Sequence, residues 1–250
     1  MRAKEGMSGV EAPAVSVVIP VYRDEAALGR LLSGLSGLLP RPREILVADG
    51  GASGRCRTLC RRYGAIYLSS FPCRGLQLNT GARRASGEVL WFLHADATLP
   101  EDPLSAIGAA LAKDACGGFF RFRFDGSRPW PAPLLERMVE FRVRSGGIPY
   151  GDQGLFMTRD AYWRSGGYPP WPLFEEVPLV RNLRTLAPFV ALEEAIGVDP
   201  RRWERDGWWR RSLANRWLAT KFWLGIPPGT LSERYRIPEK QHGTKREESQ

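Results

Sequence analysis

The sequence predicts an α/β fold in which a mostly parallel sheet is covered by helices on both faces. Apolar, β-branched runs alternate along the first half of the chain with segments whose apolar residues recur at helical spacing. The runs are apolar throughout, as in strands buried on both sides of a parallel sheet. With 250 residues, 43% of them hydrophobic, the chain can form one substantial core. Strands and helices in this alternation are typical of a parallel sheet.

The first predicted strand is the apolar run from Val15 to Ile19, which stops at Pro20. A helix over residues 24–38 follows it. The alternation then continues, with strands at 44–49, 65–70 and 88–96 and helices at 54–63, 74–85 and 103–112. Such sheets bind ligands beyond the carboxyl ends of their strands, so the residues that follow each strand are the candidate site.

The pattern changes at Gly117. The stretch "FFRFRFD" at 119–125 alternates Phe with Arg, which predicts a strand with one buried and one solvated face. Helices are predicted over residues 134–144 and from about Phe174. We therefore expect a leader at 1–13, a globular domain at 14–200, a basic, aromatic helical tail at 201–238 and a disordered end at 239–250.

Charge and cysteine usage restrict the function without choosing it. The 36 Lys and Arg residues outnumber the 27 Asp and Glu, and the net charge of +9 favours an acidic partner: a nucleotide diphosphate, a nucleic acid or an anionic membrane. No Cys-x-x-Cys pair indicates zinc, and we expect reduced packing thiols at Cys56, Cys60, Cys73 and Cys116. No run approaches the roughly 20 apolar residues of a membrane span, and no signal sequence is evident, so we expect a cytoplasmic protein.

Two strands end in a carboxylate, Asp49 and Asp96. The glycines after Asp49 lack the G-x-G-x-x-G spacing of a dinucleotide site, and a carboxylate there suits a base N–H or a ribose hydroxyl better than a phosphate. A helix-capping turn with an incidental Asp is the alternative. Side chains 94 and 96 of an extended segment point the same way, so His94 could join Asp96 at a Mg²⁺ or Mn²⁺ that bridges phosphates. A strand-end Asp that caps the next helix is the alternative.

The stretch "FEEVPLV" contains paired carboxylates, Glu175 and Glu176. Adjacent helical residues diverge by about 100°, so only one of them faces a given pocket. A general base requires only one, within hydrogen-bond reach of a substrate hydroxyl. An acidic first turn favoured by the helix dipole is the alternative.

Six motifs together resemble the family 2 glycosyltransferases, and most closely the small bacterial subgroup of selenium-domain-associated transferases. The resemblance runs from Val15 to Tyr235. The motifs are "VSVVIPVYRDE" (15–25), "ILVADGGASG" (45–54), "RGLQLNTGARRASGEVLWFLHAD" (74–96), "GDQGLFMTRDAYWRSGGYP" (151–169), "PLFEEVPL" (172–179) and "RRW" (201–203).

The resemblance implies a GT-A fold, with a nucleotide-binding half at 14–116 merged with an acceptor half at 117–200. It implies inverting transfer from a nucleotide-diphosphate sugar, of UDP type, to an acceptor hydroxyl, assisted by Mg²⁺ or Mn²⁺. Glu176, beside Glu175, matches the base, and Asp96 with His94 matches the metal motif. The matching donor-binding residues are Pro20, Tyr22, Glu25, Asp49, Arg74, Gln77, Asn79, Asp96, Arg202 and Trp203, and those for the acceptor are Gly151, Asp152 and Gln153.

Two residues depart from the family pattern. His94 replaces the first Asp of the metal motif, so the cation depends more heavily on Asp96, and Glu176 is one methylene longer than the usual Asp. A catalytically inactive sugar-nucleotide-binding or membrane-surface adaptor is therefore the alternative function. A nucleotidyltransferase would need a Gly-rich loop where "PVYRDE" stands. Nucleic-acid binding has only a cluster of arginines on the second helix in its favour, and no stacking or groove-reading motif.

The tail places four Trp among four basic residues: Trp208, Trp209, Trp217 and Trp223 with Arg210, Arg211, Arg216 and Lys221. Such a helix either lies on anionic lipid, at the inner face of the membrane and near a lipid-linked acceptor, or packs its Trp residues on the domain with the Arg residues as a solvated rim. We favour the packed arrangement.

Overall fold

The computed structural model describes residues 13–235. The predicted disordered end at 239–250, and the leader apart from Pro13, lie outside the described residues. Among the described helices, none combines the length and the hydropathy that a membrane span requires.

The described strands form one eight-stranded sheet with the order β3-β2-β1-β4-β7-β6-β8-β5. Strands β1, β2, β3 and β4 are mutually parallel, β6 and β8 are also parallel, and the pairs β4-β7, β6-β7 and β5-β8 are antiparallel. The bounds are β1 (Val15–Val21), β2 (Glu44–Asp49), β3 (Ile66–Ser69), β4 (Val89–Phe92), β5 (Ala97–Thr98), β6 (Gly117–Phe124), β7 (Phe156–Thr158) and β8 (Phe189–Val198).

Helices cover both faces of the sheet, as predicted. Val17 and Val18 are fully buried neighbours in β1, yet they belong to two different cores, because successive side chains of a strand point to opposite faces. One core contains side chains of α1, α2 and α4, and the other contains those of α3, α6 and α7. The helices are α1 (Glu25–Ser36), α2 (Gly54–Arg62), α3 (Arg74–Arg84), α4 (Pro103–Leu111), α5 (Pro131–Arg144), α6 (Arg159–Arg164), α7 (Glu176–Leu186), α8 (Arg201–Asp206), α9 (Trp208–Trp223) and α10 (Pro228–Tyr235).

The structure corrects several predicted elements from β4 onward. Strand β4 ends at Phe92, so His94 and Asp96 lie in the loop after it rather than within the strand. Strands β7 and β8 and helix α6 were not predicted. Strand β8 lacks a period of two because its pairing with β6 shifts between Phe119 and Arg121, which interrupts the alternation of buried and exposed side chains.

The alternating strand β6 is as predicted. Phe120 and Phe124 are buried, whereas Arg121 and Arg123 are exposed. The tail is helical, also as predicted, and as far as Tyr235 it forms three helices. Gly207, with a φ of 88°, separates α8 from α9, a left-handed conformation that glycine adopts without steric cost.

Gly81 lies where α3 crosses β1, and we predict that Gly81→Ala destabilises the fold. A Cβ there would lie 2.3 Å from Cγ1 of Val18, a buried, β-branched side chain with little freedom to move. We expect the free energy of unfolding in urea to fall by about 1–3 kcal/mol.

Gly29 in α1 is the matched control, because a Cβ there would meet only Leu59, at an ordinary 3.6 Å. Gly29→Ala should gain up to about 1 kcal/mol from helix propensity. Equal stability of the two variants would contradict the close packing of α3 on β1.

Candidate functional site

A cavity of about 760 Å³ opens at the carboxyl ends of β1 and β4. Its wall continues through the start of α3, the 3-10 turn at Gly151–Gln153, the loop before α7 and the tail helices. Most of the predicted site residues line it: Pro20, Tyr22, Arg74, Gln77, His94, Asp96, Gly151, Asp152, Glu176, Arg202 and Trp203. Five predicted residues do not: Glu25, Asp49, Asn79, Gln153 and Glu175.

Asp49 is 1% exposed and its carboxylate is used by the chain itself. It accepts hydrogen bonds from the backbone N–H of Gly51 and of Ser53, both at 2.7 Å, and from the Tyr67 hydroxyl at 3.3 Å. Asp49 thus fixes the turn between β2 and α2, the alternative that the sequence left open. Of the two strand-end carboxylates, Asp96 lines the cavity and Asp49 does not.

Three other predicted residues support the site from behind. The Gln77 amide is buried and donates to the backbone carbonyls of Val21 at 2.7 Å and Ala48 at 2.8 Å, which ties the ends of β1 and β2 together. Gln153 donates to the carbonyl of Phe120 at 3.3 Å and so anchors the 3-10 turn. Asn79 accepts from the Tyr162 hydroxyl at 3.4 Å, in the core beneath α3.

The acidic pair at the start of α7 is buried and asymmetric. Glu175 receives a two-point ion pair from the Arg74 guanidinium, with Nη2 at 3.0 Å from Oε2. Glu176 Oε2 lies 3.7 Å from Arg74 Nη2, is buried and has no hydrogen-bond partner. Burial, with repulsion by Glu175, raises the pKa of Glu176 to about 8, against the opposing effect of Arg74. Phe174, immediately before the pair, has a φ of 60°, a strained conformation for a bulky residue.

The 3-10 turn packs closely against His94, and both line the cavity. A Cβ on Gly151 would lie 2.7 Å from His94 Nε2, so only glycine permits this approach. His94 Nε2 is buried without a hydrogen-bond partner, and burial lowers the pKa of the imidazole to about 3. Burial raises the pKa of Asp152 to about 6.

Arg201 is the main site residue that the sequence reasoning missed. Its guanidinium pairs with both carboxylate oxygens of Asp24, with Asp96 Oδ2 at 3.1 Å and with Asp199 Oδ2 at 3.7 Å, and these carboxylates raise its pKa. Asp24 comes after β1, so the strand-end rule could have identified it. Arg201 belongs to the "RRW" motif, from which only Arg202 and Trp203 were selected.

The residues present fit a divalent cation that substrate oxygens would complete. In residues 13–235 no group of three or more His, Cys, Asp and Glu side chains is arranged to hold a metal alone. Mg²⁺, however, is typically held by one or two carboxylates together with substrate phosphates, and Asp96 offers one carboxylate to the cavity. The unpartnered Nε2 of a neutral His94 is a suitable nitrogen donor for Mn²⁺.

A family model described as "Glycosyl transferase family 2" matches residues 16–166, more than half of the chain. The undecaprenyl-phosphate 4-deoxy-4-formamido-L-arabinose transferase of Pseudomonas aeruginosa strain PAO1 is 29% identical over 191 residues, which cover 71% of this chain and 53% of that protein. The protein of the same name from Aeromonas hydrophila is 27% identical over 167 residues, 60% of this chain and 50% of that protein. The chain thus spans about half the length of these relatives.

Solved structures give the fold. A mannosyltransferase from Pyrobaculum calidifontis, in complex with GDP-Man and Mn²⁺, superposes with a TM-score of 0.61 at 20% identity, over 88% of this chain and 67% of that one. Glucosyl-3-phosphoglycerate synthase from Mycobacterium tuberculosis, in complex with Mn²⁺, UDP and glucosyl-3-phosphoglycerate, gives 0.53 at 18%, over 74% of this chain and 71% of that one. The fold is the GT-A fold that the resemblance implied, and the chain belongs to the family 2 glycosyltransferases.

Proposed function

We propose that this chain transfers a sugar from a nucleotide-diphosphate sugar, of UDP type, to an acceptor hydroxyl, with inversion at the anomeric carbon and with help from Mg²⁺ or Mn²⁺. One observation carries the proposal. Glu176, whose Oε2 is buried without a hydrogen-bond partner, lines the same cavity as Asp96 and Arg202. A proton acceptor and a set of charged groups suited to a diphosphate thus share one space.

The donor enters at the strand ends. Pro20 and Tyr22, at the end of β1, line the cavity where the nucleoside would lie. Arg202 and Trp203, at the start of α8, line the wall next to Asp96, where the diphosphate would lie. Arginine binds phosphate oxygens at two points, which suits a leaving group whose charge increases during transfer.

A divalent cation held by Asp96, with His94 as a second donor, would supply electrostatic stabilisation of the leaving diphosphate. Two features of the chain prepare His94 for this role. Burial keeps His94 neutral at physiological pH, so its lone pair is available. Gly151 packs against the Nε2 edge of the ring and restricts its movement.

The reaction is a single displacement. The acceptor oxygen forms a bond to the anomeric carbon while the bond from that carbon to the phosphate oxygen breaks, and its electron pair leaves with the nucleotide diphosphate. Glu176 takes the proton of the acceptor hydroxyl. Arg74 balances the charge of Glu175, so the negative charge of the deprotonated pair is concentrated on Glu176.

The acceptor would enter beside the 3-10 turn, where Gly151 and Asp152 line the cavity and Gln153 anchors the turn. The names of the curated relatives specify a lipid phosphate as the acceptor. For this chain we propose a hydroxyl on a lipid-linked acceptor, at the inner face of the membrane. A phosphate oxygen is already ionised at neutral pH, whereas a hydroxyl requires a base such as Glu176.

The first test of the base is Glu176→Gln, which keeps the shape and removes the proton acceptor. We expect transfer to fall by about 10²–10⁴-fold while donor affinity changes little. Product formation and calorimetric titration with UDP-sugar would measure the two quantities. Glu193→Gln, whose side chain is 86% exposed, is the control and should behave as wild type. Retained turnover in Glu176→Gln would favour an ionised acceptor and would contradict the role of Glu176 as base.

The second test concerns the cation. In the wild-type protein we expect Mn²⁺ to raise donor affinity by at least about tenfold. Asp96→Ala should abolish this increase. Thermal shifts with UDP, GDP, CDP and TDP, each with and without Mn²⁺, would measure this effect and identify the nucleobase of the donor. Asp160→Ala, at a side chain 75% exposed, is the matched control. An Mn²⁺-dependent shift of wild-type size in Asp96→Ala would exclude Asp96 as the ligand.

The third test is the pH dependence of transfer. The charged and titratable groups around Glu176 are Arg74, Glu175, Tyr150, Asp152 and Tyr168. Only the deprotonated form accepts a proton, and the pKa of Glu176 is raised to about 8, so kcat/KM should fall as the pH drops through 8. Between pH 8.5 and 6.5 the decrease should be about 25-fold. A rate constant that stays level down to pH 5.5 would mean that Glu176 is not the base.

A further inference from the structure

Helix α9 presents an outward face of large apolar side chains. Trp209 is 46% exposed, Leu213 63% and Trp217 60%, and Leu224, just after the helix, is 76% exposed. At 100° per residue these four side chains fall within about 80° of each other around the helix axis. The packed arrangement that the sequence favoured is therefore wrong for Trp209 and Trp217. It holds for Trp208, whose ring packs edge-on against Phe124 at 4.9 Å.

The inner face of α9 fixes the helix on the domain beside the cavity. Phe222 stacks on Phe174 at 4.7 Å, one residue before the Glu175–Glu176 pair. Asn215 and Leu218 line the cavity itself. The outward apolar face is thus held in place on the side of the helix opposite the cavity.

The charges on α9 all have one sign. Its sequence, "WWRRSLANRWLATKFW", has four basic residues and no acidic one. Arg216 lies at one edge of the apolar face, and Arg210 and Lys221 lie at the other, given the same 100° spacing. Lys221 Nζ lies 5.0 Å from the centre of the Trp217 ring, so the ammonium and the indole form one surface. Trp and Leu bordered by Arg and Lys is the composition of helices that lie at a lipid interface.

We propose that the outward face of α9 rests on an anionic lipid bilayer, with Trp209, Leu213, Trp217 and Leu224 at the acyl boundary and Arg210, Arg216 and Lys221 at the headgroups. The route of the acceptor to the cavity rests on the proposed function: a lipid-linked acceptor in this bilayer would reach the cavity along α9. The binding itself does not depend on turnover.

Charge favours the bilayer over a second copy of the chain. Two copies joined symmetrically through this face would bring Arg210 and Arg216 of each against those of the other. Such like-charge contacts are unfavourable, and α9 offers no carboxylate to balance them. An anionic bilayer supplies the opposite charge at the rim and an apolar phase at the centre.

Flotation with phosphatidylcholine vesicles, and with vesicles containing 30% phosphatidylglycerol, tests the apolar centre. We expect wild-type protein to float with the anionic vesicles, and Leu213→Glu with Trp217→Glu to lower the partition coefficient by at least about tenfold. Leu39→Glu is the matched control, because Leu39 is 83% exposed and lies far along the chain in the loop after α1. The side chains of Leu213 and Trp217 are exposed, and a thermal melt of the double variant would verify folding.

A second pair of variants tests the charged rim. Arg210→Gln with Arg216→Gln should weaken binding to the anionic vesicles by about fivefold per residue and leave binding to neutral vesicles unchanged. Arg61→Gln with Arg84→Gln removes the same charge from exposed positions on α2 and α3 and should bind as wild type.

Three outcomes would overturn the proposal: wild-type protein that floats with neither vesicle, a glutamate double variant that floats as wild type, or a dimer in lipid-free sedimentation that this variant abolishes. Slow hydrolysis of the correct UDP-sugar without acceptor should be equal in wild type and double variant. Vesicle binding without hydrolysis of any donor would leave the membrane face standing and contradict the proposed transfer instead.

Discussion

The site depends on the way one guanidinium balances two buried carboxylates. Glu175 and Glu176 are neighbours at the start of α7, 1% and 2% exposed, and Arg74 of α3 contacts both. Burying a charge costs several kcal/mol per ion, and the two-point contact with Arg74 offsets this cost for Glu175 more than for Glu176. Glu176 keeps a poorly compensated oxygen, so its proton is retained to about pH 8. The left-handed backbone conformation of Phe174 orients the Glu175–Glu176 pair that follows it. The Phe222 ring stacks on Phe174 and stabilises that conformation.

The rest of the cavity is positioned by buried polar side chains that bond to backbone groups. Asp49 fixes the turn after β2, and Gln77 joins the ends of β1 and β2 through their carbonyls. Asp49 and Gln77 have charge or hydrogen-bonding capacity suited to a ligand, yet the backbone uses it. Burying unpaired N–H and C=O groups at strand ends is costly, and these side chains satisfy them where the sheet stops.

The sequence was sufficient for the elements that local pattern specifies. The parallel strands β1, β2 and β4 and the helices between them follow from apolar runs and helical spacing, and the strand-end rule led to Asp96. Which side of a turn a carboxylate faces is a tertiary property, so the sequence could not show that Asp49 bonds to the backbone of its own turn. Strand β8 is defined by its pairing with β6 and by the bulge between the two strands. Neither feature produces an alternating pattern in the sequence of β8. The three carboxylates around Arg201 include Asp24, which is 177 residues away in the chain, and no local pattern reports this contact.

That environment constrains how a cation could occupy the site. Arg201 contributes one positive charge among the three carboxylates of Asp24, Asp96 and Asp199, so negative charge is in excess in this cluster. A divalent ion at Asp96 would lie close to the guanidinium, which lies 3.1 Å from the same carboxylate, and the two cations would repel each other at that distance. A diphosphate between them would remove the conflict, because it would bring negative charge to both and leave Asp24 and Asp199 to hold Arg201. If the cation and the donor both bind at Asp96, as proposed, electrostatics would couple the two binding events, and each should be weak without the other.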